Sequence, residues 1–228
     1  MAADYDFGAG TILAAITGLT FAEWEVQSSS QNAMKDFAQV ILNDGDVEEE
    51  TSYNPRDEFS FEFVCNTSPL AAFNVVLGQE YLAAAPKFVL TACSLIQRAG
   101  DFSTLTLTGH KHTGTKTHLA RKYTVAMPQG GFGVLASKAI SGTIPAAIMS
   151  LAFSASVDHV DKLDKTGVFL IGASTRCRLE EAIEMADDDQ NPSYNAGWET
   201  DADEIREANT GYEIRSIRLH KYQGEDTP

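Results

Sequence analysis

The chain has 228 residues, 43% of them hydrophobic and 21% charged, with a formal net charge of −15. That length and balance exclude wholesale disorder and allow a buried core without disulfide or metal staples. The excess of acid excludes general nucleic-acid binding through a basic surface, because neutralising phosphates takes clustered Lys and Arg.

The charge is segregated along the chain. Residues 1–86 hold 14 acids and 2 bases, residues 87–178 hold 4 acids and 11 bases, and residues 179–228 hold 14 acids and 4 bases. Such segments either interleave in the fold and cancel, or offer complementary faces to identical copies. Cys65, Cys93 and Cys177 are an odd number with no CxxC pair; they read as buried apolar side chains rather than a disulfide framework or zinc ribbon.

In chain order, the apolar run 7–22 follows Asp4 and Asp6 and precedes Glu23 and Glu25, so it is not expected to be a signal peptide. No window reaches about 18 uninterrupted apolar residues, and no membrane-spanning helix is expected. Ser28 to Ser30 offer N-caps, Met34, Phe37, Ala38 and Ile41 fall at helical spacing, and Asp44-Gly45 closes the segment, which predicts a helix over 28–41. Strict alternation of Phe59, Phe61 and Phe63 with Glu58, Ser60 and Glu62 predicts a strand with one buried and one wet face. Ser68 as cap, Pro69 at the first helical position and inward Leu70, Phe73, Leu77 and Tyr81 predict a second helix, ending before Pro86.

Further strands are predicted at 88–95, 104–108, 117–125, 151–157, 168–171 and 212–222 from period-two alternation. Residues 175–186 fit either period and are read as strand. Residues 187–211 contain three consecutive aspartates and a second acidic cluster, with Tyr194, Trp198 and Ile205 as the large apolar groups; they read as an acidic loop or arm. The expected fold is mainly β: one domain over 1–228, an antiparallel β-sandwich or barrel with one or two flanking helices and that long arm.

Residues 109–117, GHKHTGTKT, approach a phosphate-binding loop, but Thr115 separates the second glycine from the lysine and the chain continues as a strand. No nucleotide is expected. His110 and His112 share one strand face and His118 follows six residues later, a spacing compatible with a three-histidine metal site. No carboxylate lies between Phe102 and Ser156 to orient such ligands, and the segment is read as a polar hairpin tip with its histidines in water. Asp158, His159, Asp161 and Asp164 lack the glycine and glutamate positions of an EF-hand and are read as a solvated turn. The acidic groups 48–50 and 187–189 read as solvated faces. No serine-elbow, zinc-protease or dinucleotide-binding motif occurs, so no catalytic residue, metal or cofactor is expected and the chain is not read as an enzyme. In the arm, Tyr194 and Trp198 are expected to anchor a contact with a neighbouring copy, its carboxylates facing solvent or that copy's basic segment with Arg121, Lys122, Arg176 and Arg178.

The order of these features resembles, at the level of pattern, the major tail tube proteins of long-tailed bacteriophages and related tube-forming proteins. The resemblance covers roughly residues 19–222, through the Trp24 strand, the strand 56–66, GHKHTGTKTHLARKYTVAMP, the paired LAFSASVDHVD and TGVFLIGA segments, and NTGYEIRSIRLHKY. It implies a β-sandwich subunit that closes with copies of itself into rings, usually six-membered, stacked into a tube with a β-barrel lining. DNA and ejected proteins would pass through that lumen without specific binding, past an acidic wall. It further implies a place in the virion tail after assembly in the host cytoplasm, with other virion proteins as partners. Other readings stay open: a capsid-decoration or tail-end protein, a histidine-metal enzyme using His110, His112 and His118, or a carbohydrate- or ligand-binding sandwich.

Overall fold

A computed structural model describes residues 24–41, 47–65, 72–78, 80–81, 88–112, 121–186, 192–207 and 213–224. These residues form strands β1 (Trp24–Ile41), β2 (Val47–Cys65), β3 (Asn74–Leu77), β4 (Glu80–Tyr81), β5 (Phe88–Arg98), β6 (Thr104–His112), β7 (Tyr123–Ala126), β8 (Ile148–Leu163), β9 (Phe169–Ala186), β10 (Glu199–Glu207) and β11 (Glu213–Gln223), and no helix. Nine strands make one antiparallel sheet in the order β1-β2-β6-β5-β8-β9-β11-β10, with β4 added beside β5, and β3 pairs with β7 in a second sheet. The protein is a mainly β, antiparallel sandwich.

The alternation seen in the sequence becomes rows of side chains across the large sheet. Phe61 lies opposite Leu107 and Phe63 opposite Leu105; Leu107 and Leu105 lie opposite Cys93 and Leu95, which lie opposite Ala155 and Phe153. The small sheet covers this face with Val75, Leu77, Tyr123 and Val125, and Trp24 and Phe73 close the cluster, ring edge to ring face at 5.9 Å. Gly109 keeps β5 and β6 close, because a Cβ there would sit 2.1 Å from the Val89 carbonyl oxygen. All three cysteines are buried without disulfides, and burial pushes the Cys93 thiol up to about 12.

A second cluster, with Ile148, Leu151, Ile183, Met185, Ile217 and Leu219, is covered by irregular chain carrying Leu135, Ile144, Tyr194 and Trp198. Two buried polar side chains fasten that chain. Gln97 donates to the Ala136 carbonyl at 2.9 Å and accepts from its N–H at 2.8 Å. Glu181 accepts from the backbone N–H groups of Lys138 at 2.9 Å and Ala139 at 3.1 Å, and from the Ser137 hydroxyl. Every buried donor that a loop brings to a sheet needs such an acceptor.

Both expected helices are corrected. Residues 28–41 belong to β1, paired with β2 from Trp24↔Cys65 to Ile41↔Val47. Met34 and Phe37 are exposed, so their helical spacing reflects no buried stripe; the backbone ladder decides the conformation. Of the segment 68–81, residues 74–77 are β3 and 80–81 are β4, while 68–71 and 79 lie outside the described residues. Phe73 and Leu77 satisfy both periods, and Val75, buried between them and opposite Val125, selects the strand. The arm at 187–211 is also corrected in part. Residues 187–191 and 208–211 lie outside the described residues, but Glu199 to Glu207 form β10, paired with β11. An edge strand wet on both faces shows no hydrophobic alternation. The expected strands at 88–95, 104–108, 151–157, 168–171 and 175–186 are present as β5, β6, β8 and β9, and 212–222 largely as β11. The expected strand 117–125 is described only from 121, where β7 begins at Tyr123. Among the described residues no helix is long and apolar enough to cross a membrane.

Candidate functional site

The two polar clusters that looked separate in the sequence meet in space. Alternation on β6 puts His110 and His112 on one face, held by β2 through the pairs Glu58↔His110 and Arg56↔His112 and by β5 through Val89↔His110. The β5–β8 ladder ends at Ala92↔Ser156, and β8 continues beyond it to Leu163, paired among the described residues with β9 alone. A register shift at Val157/Asp158 redirects this extension, with Arg176 on β9 at a φ of 46°, the geometry of a β-bulge. Past the bulge, β8 lays His159 and Asp161 against the two β6 histidines.

The contacts are specific. Asp161 Oδ2 lies 3.1 Å from His112 Nε2, and Asp161 Oδ1 lies 3.1 Å from His159 Nε2. His159 Nδ1 meets the Ser174 hydroxyl at 3.0 Å. The His112 ring stacks on Phe169, 3.9 Å between centroids and 3° from parallel. His110 packs edge-on to His159 at 4.6 Å and to His112 at 5.1 Å. His110 and His112 are 8% and 5% exposed, which corrects the expectation that they sit in water at a hairpin tip. Burial pushes the Asp161 carboxyl up, but the hydrogen bonds to His112 and His159 and the charge of those rings outweigh it, holding the group well below the usual carboxylate range.

Among the described residues, His110, His112 and Asp161 form a group whose ligand atoms lie within 4.8 Å of one another. A groove of about 410 Å³ is lined by Ser30, Asn32, Glu58, Thr91, Thr108 and, of this group, His110. The β1–β2 hairpin borders the same region: Arg56 pairs with Asp36 at 3.0 Å, Asn54 donates to Asp36 at 2.9 Å, and these two bonds hold the Asp36 carboxyl below its ordinary value.

His118 and residues 113–117 lie outside the described residues. Asp158 and Asp164 do not join the centre. Asp158 faces Arg176 at 3.5 Å, and Asp164 caps its turn by accepting from the Thr166 and Val168 N–H groups. The six residues expected at an interface are spread over the molecule. Arg121 and Lys122 are exposed ahead of β7. Arg178 bonds Asp201 of its own chain at 2.9 Å, while Tyr194 and Trp198 are packed against the second cluster, Trp198 against the first as well. Residue type flagged His110, His112, His159 and Asp161 in the sequence; the bulge that joins them, and the supports Phe169 and Ser174, carried no signal there. No family model and no curated protein matches the sequence.

Proposed function

We propose that the chain is a structural subunit that assembles with copies of itself, as the resemblance to tail tube proteins implies: rings stacked into a tube of a virion tail, conducting DNA without binding it specifically. One observation carries this reading. Among the described residues β1 is an edge strand of 18 residues, and from Glu25 to Gln39 none of its side chains is buried, with Met34 and Phe37 42% and 53% exposed.

Past Trp24, the β1 side chains from Glu25 to Gln39 add nothing buried to the core. Phe59, Phe61 and Phe63 are buried, but their β1 partners Gln31, Ser29 and Val26 are not covered. Among the described residues β2 has no ladder to β6 beyond Arg56, and there β1 and β2 pair with each other as a two-stranded ribbon. Such ribbons are marginal in water unless something packs on them. A long edge with few charges also invites another strand: β1 carries Glu25, Lys35 and Asp36, whereas the opposite edge strand β10 carries five acids and Arg206. At the far end of β6, the exposed rings of Phe102 and Phe132 touch, 4.9 Å between centroids. Different apolar surfaces at the two ends suit head-to-tail contacts, which close into rings or continue as filaments. The net charge of −15 suits a conduit wall that does not retain DNA.

Sedimentation velocity from micromolar to millimolar protein, with negative-stain imaging of the same samples, tests the proposal. Rings or tubes that grow with concentration are expected. A monomer at every concentration would overturn it.

A further inference from the structure

We propose that His110, His112 and Asp161 bind one divalent transition-metal ion, zinc in the first instance, clasping the end of β6 to the β8 extension. The inference is independent of self-assembly. Two imidazoles and one carboxylate are a donor set for zinc and neighbouring first-row ions; calcium and magnesium take oxygen ligands. Ligands on a tetrahedral zinc at about 2.0–2.2 Å lie about 3.4 Å apart. Donor atoms already within 4.8 Å therefore reach a common ion through shifts of about an ångström.

The surroundings are those of a prepared site. Metal-binding side chains are usually oriented by partners behind them. Here His159 holds Asp161 through Oδ1 and is itself held by Ser174, leaving Oδ2 turned to His112. The Phe169 ring fixes the plane of His112. His110 also lines the groove along Ser30, Asn32 and Thr108, and three protein ligands leave a fourth position for water. The competing account is a carboxylate that only accepts hydrogen bonds from two imidazoles, with no affinity for an ion. The two accounts differ in what added zinc does.

The full, untagged chain is stripped with a chelator and titrated with zinc chloride by calorimetry, and separately with cobalt(II) by visible absorption. One zinc per chain is expected, with the melting temperature raised by about 5–10 °C at a hundredfold excess over Kd. Asp161→Asn and His112→Gln should abolish both effects, while His159→Gln should weaken affinity about 10–100-fold, as loss of an orienting partner does. His220→Gln, at the separate His220–Asp201 contact, should leave binding intact. No stoichiometric zinc, equal binding by Asp161→Asn, or equal loss in His220→Gln would overturn the proposal. If the ligand variants fail to fold, the wild-type cobalt spectrum decides. Intense bands of a four- or five-coordinate ion support the site, and the pale spectrum of the hydrated ion overturns it.

Discussion

The Asn54 N–H donates to the Gly167 carbonyl at 2.9 Å, joining the two long hairpins where they leave the large sheet. Asn54 sits at a β1–β2 register shift with a φ of 52°, a left-handed conformation that asparagine tolerates better than most residues. Gly167 sits in the β8–β9 turn with a φ of 77°, and a Cβ there would lie 2.5 Å from Tyr53 Cβ. The same end of the sheet carries the His112–Asp161 contact, so the crossing of the hairpins and the histidine centre form one structural unit.

Gly167→Ala is therefore expected to cost about 1–3 kcal/mol, from backbone strain together with the clash on Tyr53. Chemical denaturation measures the loss. Hydrogen exchange should show it concentrated in residues 159–171 and 50–57; a variant as stable as wild type would mean that the hairpins do not hold each other.

Phe37→Ser and Met34→Ser should leave the subunit's own stability within about 0.5 kcal/mol, because both side chains are exposed. Both should raise the concentration needed for assembly, severalfold or more. In the unassembled protein the amides of 34–41 should exchange quickly, and assembly should protect them. Sedimentation and exchange on the same samples read both effects. Assembly unaffected by the double substitution would remove the ribbon from the interface.

Glu181 gives a pH dependence of definite sign. Burial holds its carboxyl above the ordinary value of 4.5, against the lowering effect of the Ser137, Lys138 and Ala139 hydrogen bonds. The folded state thus binds that proton more tightly than the unfolded chain does. Its contribution is fully present below pH 4.5 and is lost as pH rises through the folded value. Wild-type stability should fall relative to Glu181→Gln across that window, in denaturation curves taken at stepped pH. Glu181→Ala should cost about 1–3 kcal/mol by leaving the Lys138 N–H without its acceptor, while the Ala139 N–H keeps the Ser137 hydroxyl oxygen.

Trp198→Ala should lower the stability of the single subunit by about 2–4 kcal/mol, because its ring packs on both core clusters. Circular dichroism melts of dilute protein read this. A variant of unchanged stability that fails to assemble would instead place Trp198 in contact with a neighbouring copy.

What the sequence determined by itself follows from burial on one face. Phe59, Phe61 and Phe63, Leu105 and Leu107, and Phe153 and Ala155 alternate because a half-buried strand must, and that period was legible without coordinates. The buried cysteines were legible from their odd number and the lack of a CxxC pair. β1 and β10 were not, because an edge strand wet on both faces owes its conformation to the ladder with β2 or β11 and leaves no apolar period behind. The histidine centre divides along the same line. Residue chemistry marked 110–112 and 158–164 as candidates. Only the tertiary structure brought Asp161 to His112, because their meeting depends on where the β5 ladder stops, on the bulge at Arg176 and on the path of β8 beyond it. Those are properties of strand pairing across the sheet, which no local stretch of sequence encodes.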